Sequence, residues 1–364
     1  MKVKKQMLSL KAYEPGKSID NVKKELGLTK IVNLASNENP FGCSKKIQEA
    51  LQAISNYARY PDSRAEDLRE KVANHLGVNE NQLLFSSGLD EMIQMISRSL
   101  LFPETNVVMA SLTFPQFRHH AVIEDAEIRD VPLKEGRHDL EGMQIAVDEQ
   151  TSLVWICNPN NPTGTYVNET ELRSFLEKIP NDTIVVLDEA YYEYVTAEDY
   201  PDTMKLISEY DNLLVLRTFS KGYGLAAFRI GYAIGHEELM RKLDIGRLPF
   251  NTSRFAQIAA QAALTDKEFV KESSERNFEG LQQFYAFCKE YKVPFYPSQG
   301  NFIYIEPDKK PEELFQYLIQ RGYIVRPIKD GIRITVGTKE DNEGLIKLLK
   351  EFLVNGTSNI KLTS

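Results

Sequence analysis

Six short apolar runs, separated by stretches of helical periodicity, dominate the middle of this 364-residue chain. Gln82–Phe85, Asn106–Met109, Ser152–Ile156, Thr183–Leu187, Leu213–Leu216 and Arg229–Ile234 have the length and β-branched content of strands. Several are apolar at consecutive positions instead of alternating, and such a strand needs cover on both faces. The intervening segments supply it. Leu89–Leu101 carries apolar side chains at 89, 92, 93, 96 and 100, one stripe of a helix, and Thr170–Lys178 reads as a second helix opening on Asn168 as its cap. This alternation predicts an α/β domain with a mostly parallel central sheet and helices on both faces. Ligands of such sheets sit outside the carboxyl ends of the strands, so the residues just after each run are where chemistry is expected.

After residue 265 the pattern changes. A long charged helical stretch, Asp266–Tyr291, precedes short strand candidates at Val293–Tyr296, Asn301–Ile305, Ile324–Arg326 and Ile332–Val336, with a helix near Pro311–Arg321. A smaller α+β C-terminal domain is expected. The chain divides into an arm at 1–35, a large domain at 36–265 and a small one at 266–364, with a polar, fraying tail from Asn355.

Net charge is −8 (44 − 52), without a basic block, which argues against nucleic acid or an anionic membrane as the main partner. The basic first residues are not followed by the apolar stretch of a signal peptide, and no uncharged run has membrane-spanning length. Cys43, Cys157 and Cys288 are far apart, and the five histidines lack metal-ligand spacing. A cytoplasmic protein acting on small molecules, without a metal, is expected.

The strand ends carry the chemistry. Lys221 lies just beyond Leu213–Leu216, where burial and neighbouring cations depress an amine's pKa and leave it able to form an imine and to carry a proton. Asp188 follows Thr183–Leu187; it either meets a cationic or N–H partner or caps the next helix. Asn161 sits in the Pro- and Gly-rich turn Asn158–Gly164, and Tyr191 lies three residues past Asp188. Separations of 27 (188 − 161) and 33 (221 − 188) place these groups on successive strand tips. The turn Ser86–Glu91 opens a helix, so the N–H groups of Gly88, Leu89 and Asp90 suit a phosphate, unless Ser87 or Asp90 simply caps the turn. Thr218, Ser220 and Arg229 offer further phosphate contacts, and Phe114 either stacks on a flat ring or packs into the core. Together these are the needs of pyridoxal 5'-phosphate: an imine lysine, an acid for the ring nitrogen, donors for the ring hydroxyl, and phosphate ligands.

Asn158–Gly164, Asp188-Glu189-Ala190-Tyr191 and Ser220-Lys221 with Arg229 resemble the signature of fold-type I, class I/II pyridoxal-phosphate aminotransferases. Tyr13–Gly16, Ala35–Pro40, Arg59–Asp62, Arg217–Lys221 and Arg333–Thr338 resemble the histidinol-phosphate branch of that family, and the likeness runs from about residue 10 to 350. The resemblance implies transamination between histidinol phosphate and 2-oxoglutarate in histidine biosynthesis, with Lys221, Asp188 and Tyr191 as the catalytic set. It also implies a homodimer in which Tyr60 reaches the neighbouring subunit's cofactor phosphate. On the substrate side it implies Tyr13 and Arg326 for a phosphate, Arg333 for the donor α-carboxylate, and Asn37 beside them. The chain departs from the pattern twice. Leu89 stands where many members have a small polar residue, and only six residues separate Arg326 from Arg333, where many carry a longer loop. Two other activities share the same cofactor residues: an aromatic amino-acid aminotransferase and an O-phospho amino acid decarboxylase. A ligand-sensing regulator would need a DNA-binding segment, and the stretch before Asn37 is too short for one.

Overall fold

The computed structural model describes residues 2–12, 19–55, 57–308 and 310–353, so Tyr13 and the tail from Asn355 lie outside the described residues. The strands, in chain order, are β1 (Val32–Asn33), β2 (Leu83–Ser86), β3 (Asn106–Ala110), β4 (Glu127–Val131), β5 (Thr151–Cys157), β6 (Ile184–Asp188), β7 (Leu213–Thr218), β8 (Gly231–Gly235), β9 (Phe302–Ile305), β10 (Tyr323–Ile324), β11 (Arg326–Ile328) and β12 (Gly331–Thr335).

Seven of them form one sheet in the order β2-β8-β7-β6-β5-β3-β4, and β8 alone runs against its neighbours. The consecutive apolar residues of the central strands are explained by cover on both faces. Val154, Ile156, Val185, Leu187, Leu213 and Val215 belong to one core; Leu153, Trp155, Val186, Leu214 and Leu216 belong to another on the opposite face. Each such side chain taken fully out of water contributes about 1.5–3 kcal/mol. The helix Leu89–Leu100 buries Met92, Ile93 and Ile96 in the second core. The helix Glu169–Leu176 buries Leu172, Phe175 and Leu176 in the first, and Asn168 opens it in a reciprocal capping box with Glu171.

Three details differ from the sequence reading. Strand β4 was not expected: it sits at the sheet edge, and its Glu-Ile-Arg-Asp-Val pattern carries the charge that an exposed edge tolerates. Val293–Tyr296 is not a strand; only Phe295 forms an isolated bridge, to Ile305. Arg229 does not begin a strand either, because it adopts a left-handed conformation (φ 54°) two residues before β8.

The second unit is an antiparallel sheet, β11-β12-β9, covered by the helices Lys267–Tyr291, Pro311–Ile319 and Lys339–Leu353 around a core that includes Phe284, Ile303, Leu318, Ile334 and Leu349. Val32 and Leu34, which precede the large sheet, join this core, and β1 pairs with β10. The chain therefore passes from the small unit into the large one at residues 34–37. Among the described residues no helix is long and apolar enough to cross a membrane.

Candidate active site

Strands β5, β6 and β7 lie side by side, and their ends open into a cavity of about 720 Å³. Asn161, Asp188 and Lys221 line it from these three tips, together with Tyr191, Thr218, Ser220, Arg229, Leu89, Asp90 and Phe114. The small unit contributes Arg326 and Arg333, and Asn37 enters from the connecting segment. Gly88 lies beneath the Arg229 guanidinium. Tyr60 is not brought in: it is 77% exposed, stacks on Phe250 with ring centres 4.6 Å apart, and faces a separate groove that has Arg229 on its wall.

Burial sets the electrostatics of the floor. Asp188 is 3% exposed, and loss of water pushes its carboxyl up to about 7, an effect that the Lys221 charge offsets only weakly. Its Oδ1 accepts from the Ala190 N–H at 3.0 Å, a local turn rather than a helix cap. Lys221 is pushed the other way, down to about 8, first by desolvation and then by the charges of Arg333 and Arg229. Its ammonium donates to the Ser36 carbonyl at 3.0 Å. Behind the tips, Arg217 Nε meets Glu189 Oε2 at 2.8 Å, and Tyr200 and Thr203 hydroxyls donate to the same carboxylate. This buried pair ties β6 to β7 one residue from Asp188 and four from Lys221, with its hydrogen bonds satisfied.

A polar chain crosses the middle of the cavity. Tyr191 OH accepts from Asn37 Nδ2 (3.0 Å) and Asn161 Nδ2 (3.2 Å), and Arg333 donates to Asn161 Oδ1 (2.7 Å) and to the Ala35 carbonyl (2.6 Å). Burial raises the Tyr191 phenol, which keeps its proton. Asn37 has φ 53°, a region in which Asn is favoured, and its N–H donates to Thr335 Oγ1 at 2.9 Å. Ser36, Asn301 and Thr335 were not singled out from sequence. Ser36 acts through its backbone, and Asn301, whose amide donates to the Asn37 carbonyl, and Thr335 become partners of Asn37 only across the interface between units. The Ala35–Pro40 and Arg333–Thr338 motifs were the available signal.

At the opposite end, Gly88 (φ 77°) precedes the helix Leu89–Leu100, whose first N–H groups open toward Arg229. A Cβ at Gly88 would stand 2.5 Å from Arg229 Nη2. The guanidinium lies 3.4 Å from Asp90 Oδ2 and 3.5 Å from Ser220 Oγ. Neither Ser87 nor Asp90 caps this helix, which has no side-chain cap; the Glu91 carboxylate accepts the Ser87 N–H, one residue before the helix N-cap at Gly88.

The short connection between Arg326 and Arg333 is a hairpin. Arg326 pairs with Arg333 and Ile328 with Gly331, leaving a two-residue turn, Lys329-Asp330. Directly opposed residues of an antiparallel pair share a face, so both arginines are presented to the cavity from adjacent strands.

A phosphorylated pyridinium aldehyde fits this set on structural grounds. The buried Asp188 carboxyl calls for a cationic N–H, and the glycine at 88 leaves Arg229 room over a helix N-terminus suited to a phosphate.

The family Aminotransferase class I and II matches residues 29–349. The chain is 61% identical over 361 residues to histidinol-phosphate aminotransferase 1 of Bacillus thuringiensis subsp. konkukian, covering 98% of this chain and 97% of the relative. It is 57% identical to the histidinol-phosphate aminotransferase of a Geobacillus species, over 97% of this chain and 98% of the relative. Among solved structures, the histidinol-phosphate aminotransferase of Sinorhizobium meliloti in complex with pyridoxal-5'-phosphate superposes with a TM-score of 0.87 at 27% identity, covering 96% of each chain. Relatives this similar, aligned almost end to end, place the chain in the class I and II aminotransferases, a pyridoxal-phosphate-dependent family, and within it among the histidinol-phosphate aminotransferases.

Proposed function

We propose that the chain transfers an amino group between histidinol phosphate and 2-oxoglutarate, as its relatives' name suggests. The observation that carries this reading is the opposition of Arg326 and Arg333 on a tight hairpin, facing the cavity that holds Lys221 and Asp188. When bound, pyridoxal phosphate supplies an electron sink for negative charge at the substrate Cα.

The protein's part is positioning and proton movement. Asp188, whose burial leaves its carboxyl without a strong cationic partner, would hold the proton on the ring nitrogen. Asn161 and Tyr191 would hold the ring oxygen through the amide and phenol that now bond each other. Arg229, Ser220, Thr218 and the N–H groups of Leu89 and Asp90 would grip the cofactor phosphate, and Phe114 would pack against the ring. Lys221, its amine depressed to about 8, would take a proton from the substrate Cα and return it at the cofactor's C4′. Arg333, already anchored by Asn161 and Ala35, orients the α-carboxylate where the donor has one, and Arg326 takes the substrate phosphate.

We further propose a homodimer. Tyr60 is turned away from its own cavity toward a groove bordered by Phe250 and Arg229, a surface suited to a second copy of the chain.

Single-turnover half-reactions test the substrate reading. Arg326→Ala is expected to lower kcat/KM for histidinol phosphate by about 10- to 100-fold with a much smaller effect on glutamate, and Arg333→Ala to damage glutamate at least as severely. An unaffected histidinol phosphate reaction in Arg326→Ala, or phenylalanine as the far better substrate of the parent protein, would replace this reading with an aromatic amino-acid aminotransferase.

A further inference from the structure

The hairpin turn holds a residue that the cofactor and carboxylate contacts leave unused. Lys329 has φ 48°, a left-handed conformation uncommon for a side-chain-bearing residue outside Asn and Asp. Glycine would relieve the strain there, yet the hairpin's glycine is two residues later, at the start of β12, where Tyr304 Cζ lies 2.3 Å from the position a Cβ on Gly331 would take. The strained position is thus occupied by a long cation. A backbone outlier of this kind points toward function when its side chain has something to do.

The side chain reaches across the cavity mouth. Lys329 Nζ donates to the Ser111 carbonyl at 3.1 Å, and Ser111 begins the segment leading to Phe114 in the large unit. Both residues line the same cavity as Arg326. Among the described residues no carboxylate lies within salt-bridge range of this ammonium. Its partner is therefore a neutral carbonyl, a weaker acceptor than a phosphate oxygen. Lys329 is three positions along the hairpin from Arg326, a backbone span of about 10 Å, so two long side chains can converge on one anion between them.

We infer that Lys329 is a specificity residue for the phosphorylated substrate, exchanging the Ser111 carbonyl for a phosphate oxygen that Arg326 does not engage. The inference rests on the substrate reading above. A phosphate offers three oxygens and nearly two negative charges, enough for both the Arg326 fork and a separate ammonium. Glutamate offers two carboxylates of two oxygens each, and one guanidinium saturates either, so Arg326 and Arg333 suffice for both. Lys329 thus favours the phosphorylated substrate over the amino-acid donor within a single cavity.

The test uses the holoenzyme with Lys329→Gln, Lys329→Gly and Lys329→Arg; glycine suits the turn's backbone, so that variant keeps the hairpin. The Gln and Gly variants are expected to raise KM for histidinol phosphate about tenfold with kcat and the glutamate half-reaction within about twofold, and the Arg variant to recover most of the loss. Inorganic phosphate, used as an inhibitor of the glutamate half-reaction, is expected to bind the Gln and Gly variants about tenfold more weakly than the parent. Equal losses for both donors would reduce Lys329 to a latch on the Ser111 segment and overturn the inference, as would an unchanged KM for histidinol phosphate. Should the parent protein prove inert toward histidinol phosphate, the substrate reading falls, and the inorganic phosphate comparison still decides whether Lys329 binds phosphate.

Discussion

Asp188 and Lys221 face one cavity with pKa values driven toward each other, the carboxyl up to about 7 and the amine down to about 8. For the carboxyl this has a stability consequence in the cofactor-free protein. Its folded pKa is raised above the unfolded value near 3.8, so the folded form binds the extra proton. The resulting stabilisation is complete below about 3.8 and is lost as pH rises through about 7. Asp188→Asn removes the charge while keeping an oxygen for the Ala190 N–H. Without cofactor, the variant is expected to be more stable than the parent at pH 8 by about 1–3 kcal/mol, with the difference shrinking toward pH 4. Amino transfer by the loaded variant is expected to fall about 100-fold or more. Thermal melts across pH and single-turnover rates check the two halves; a variant as active as the parent would show that Asp188 only shapes its turn. Both residues were legible in sequence as candidates because Asp188 directly follows one apolar run and Lys221 lies shortly past the end of another. The partners of Asn37 were not: Thr335 is 298 positions away, and nothing local marks the pairing.

At the level of elements, the cofactor-phosphate end depends on how strand β2 gives way to the helix Leu89–Leu100. Gly88 turns the chain at φ 77° and leaves the space that Arg229 fills. Gly88→Ala adds about 1 kcal/mol or more of backbone strain and displaces the guanidinium. Cofactor affinity, measured by spectroscopic titration of the cofactor-free protein, is expected to drop about tenfold or more, with a smaller loss of thermal stability. Unchanged affinity would show that Arg229 finds its place without that space. The central strands and this helix were legible because burial on both faces writes continuous apolar runs. Edge strand β4 was obscured by its charges, and the hairpin register that opposes Arg326 and Arg333 depends on strand pairing that their spacing alone left open.

For the whole molecule, the position of Tyr60 makes the proposed homodimer testable by subunit mixing. Tyr60→Ala and Lys221→Ala are each expected to be impaired on their own. If Tyr60 serves the other copy's site, a reassembled equimolar mixture regains about one quarter of parent activity, because half of the dimers then carry one intact site. No gain on mixing would place Tyr60 in its own chain's site or outside catalysis. The two-unit arrangement was visible in the change of pattern after residue 265, whereas the membership of Val32 and Leu34 in the small unit's core was not, since two apolar residues carry no periodicity. That membership bears on the order of assembly during synthesis. Leu34 O accepts from Thr335 N, Asn37 N donates to the Thr335 hydroxyl, and the intervening Ser36 carbonyl receives Lys221. A nascent chain can form the seven-stranded sheet long before Thr335 has been made, and until then residues 34–37 have, within the large unit, only their contacts to Lys221 and Tyr191 to hold them. The side of the cavity that Arg326, Arg333 and Asn37 line is therefore fixed last, once translation has passed β12.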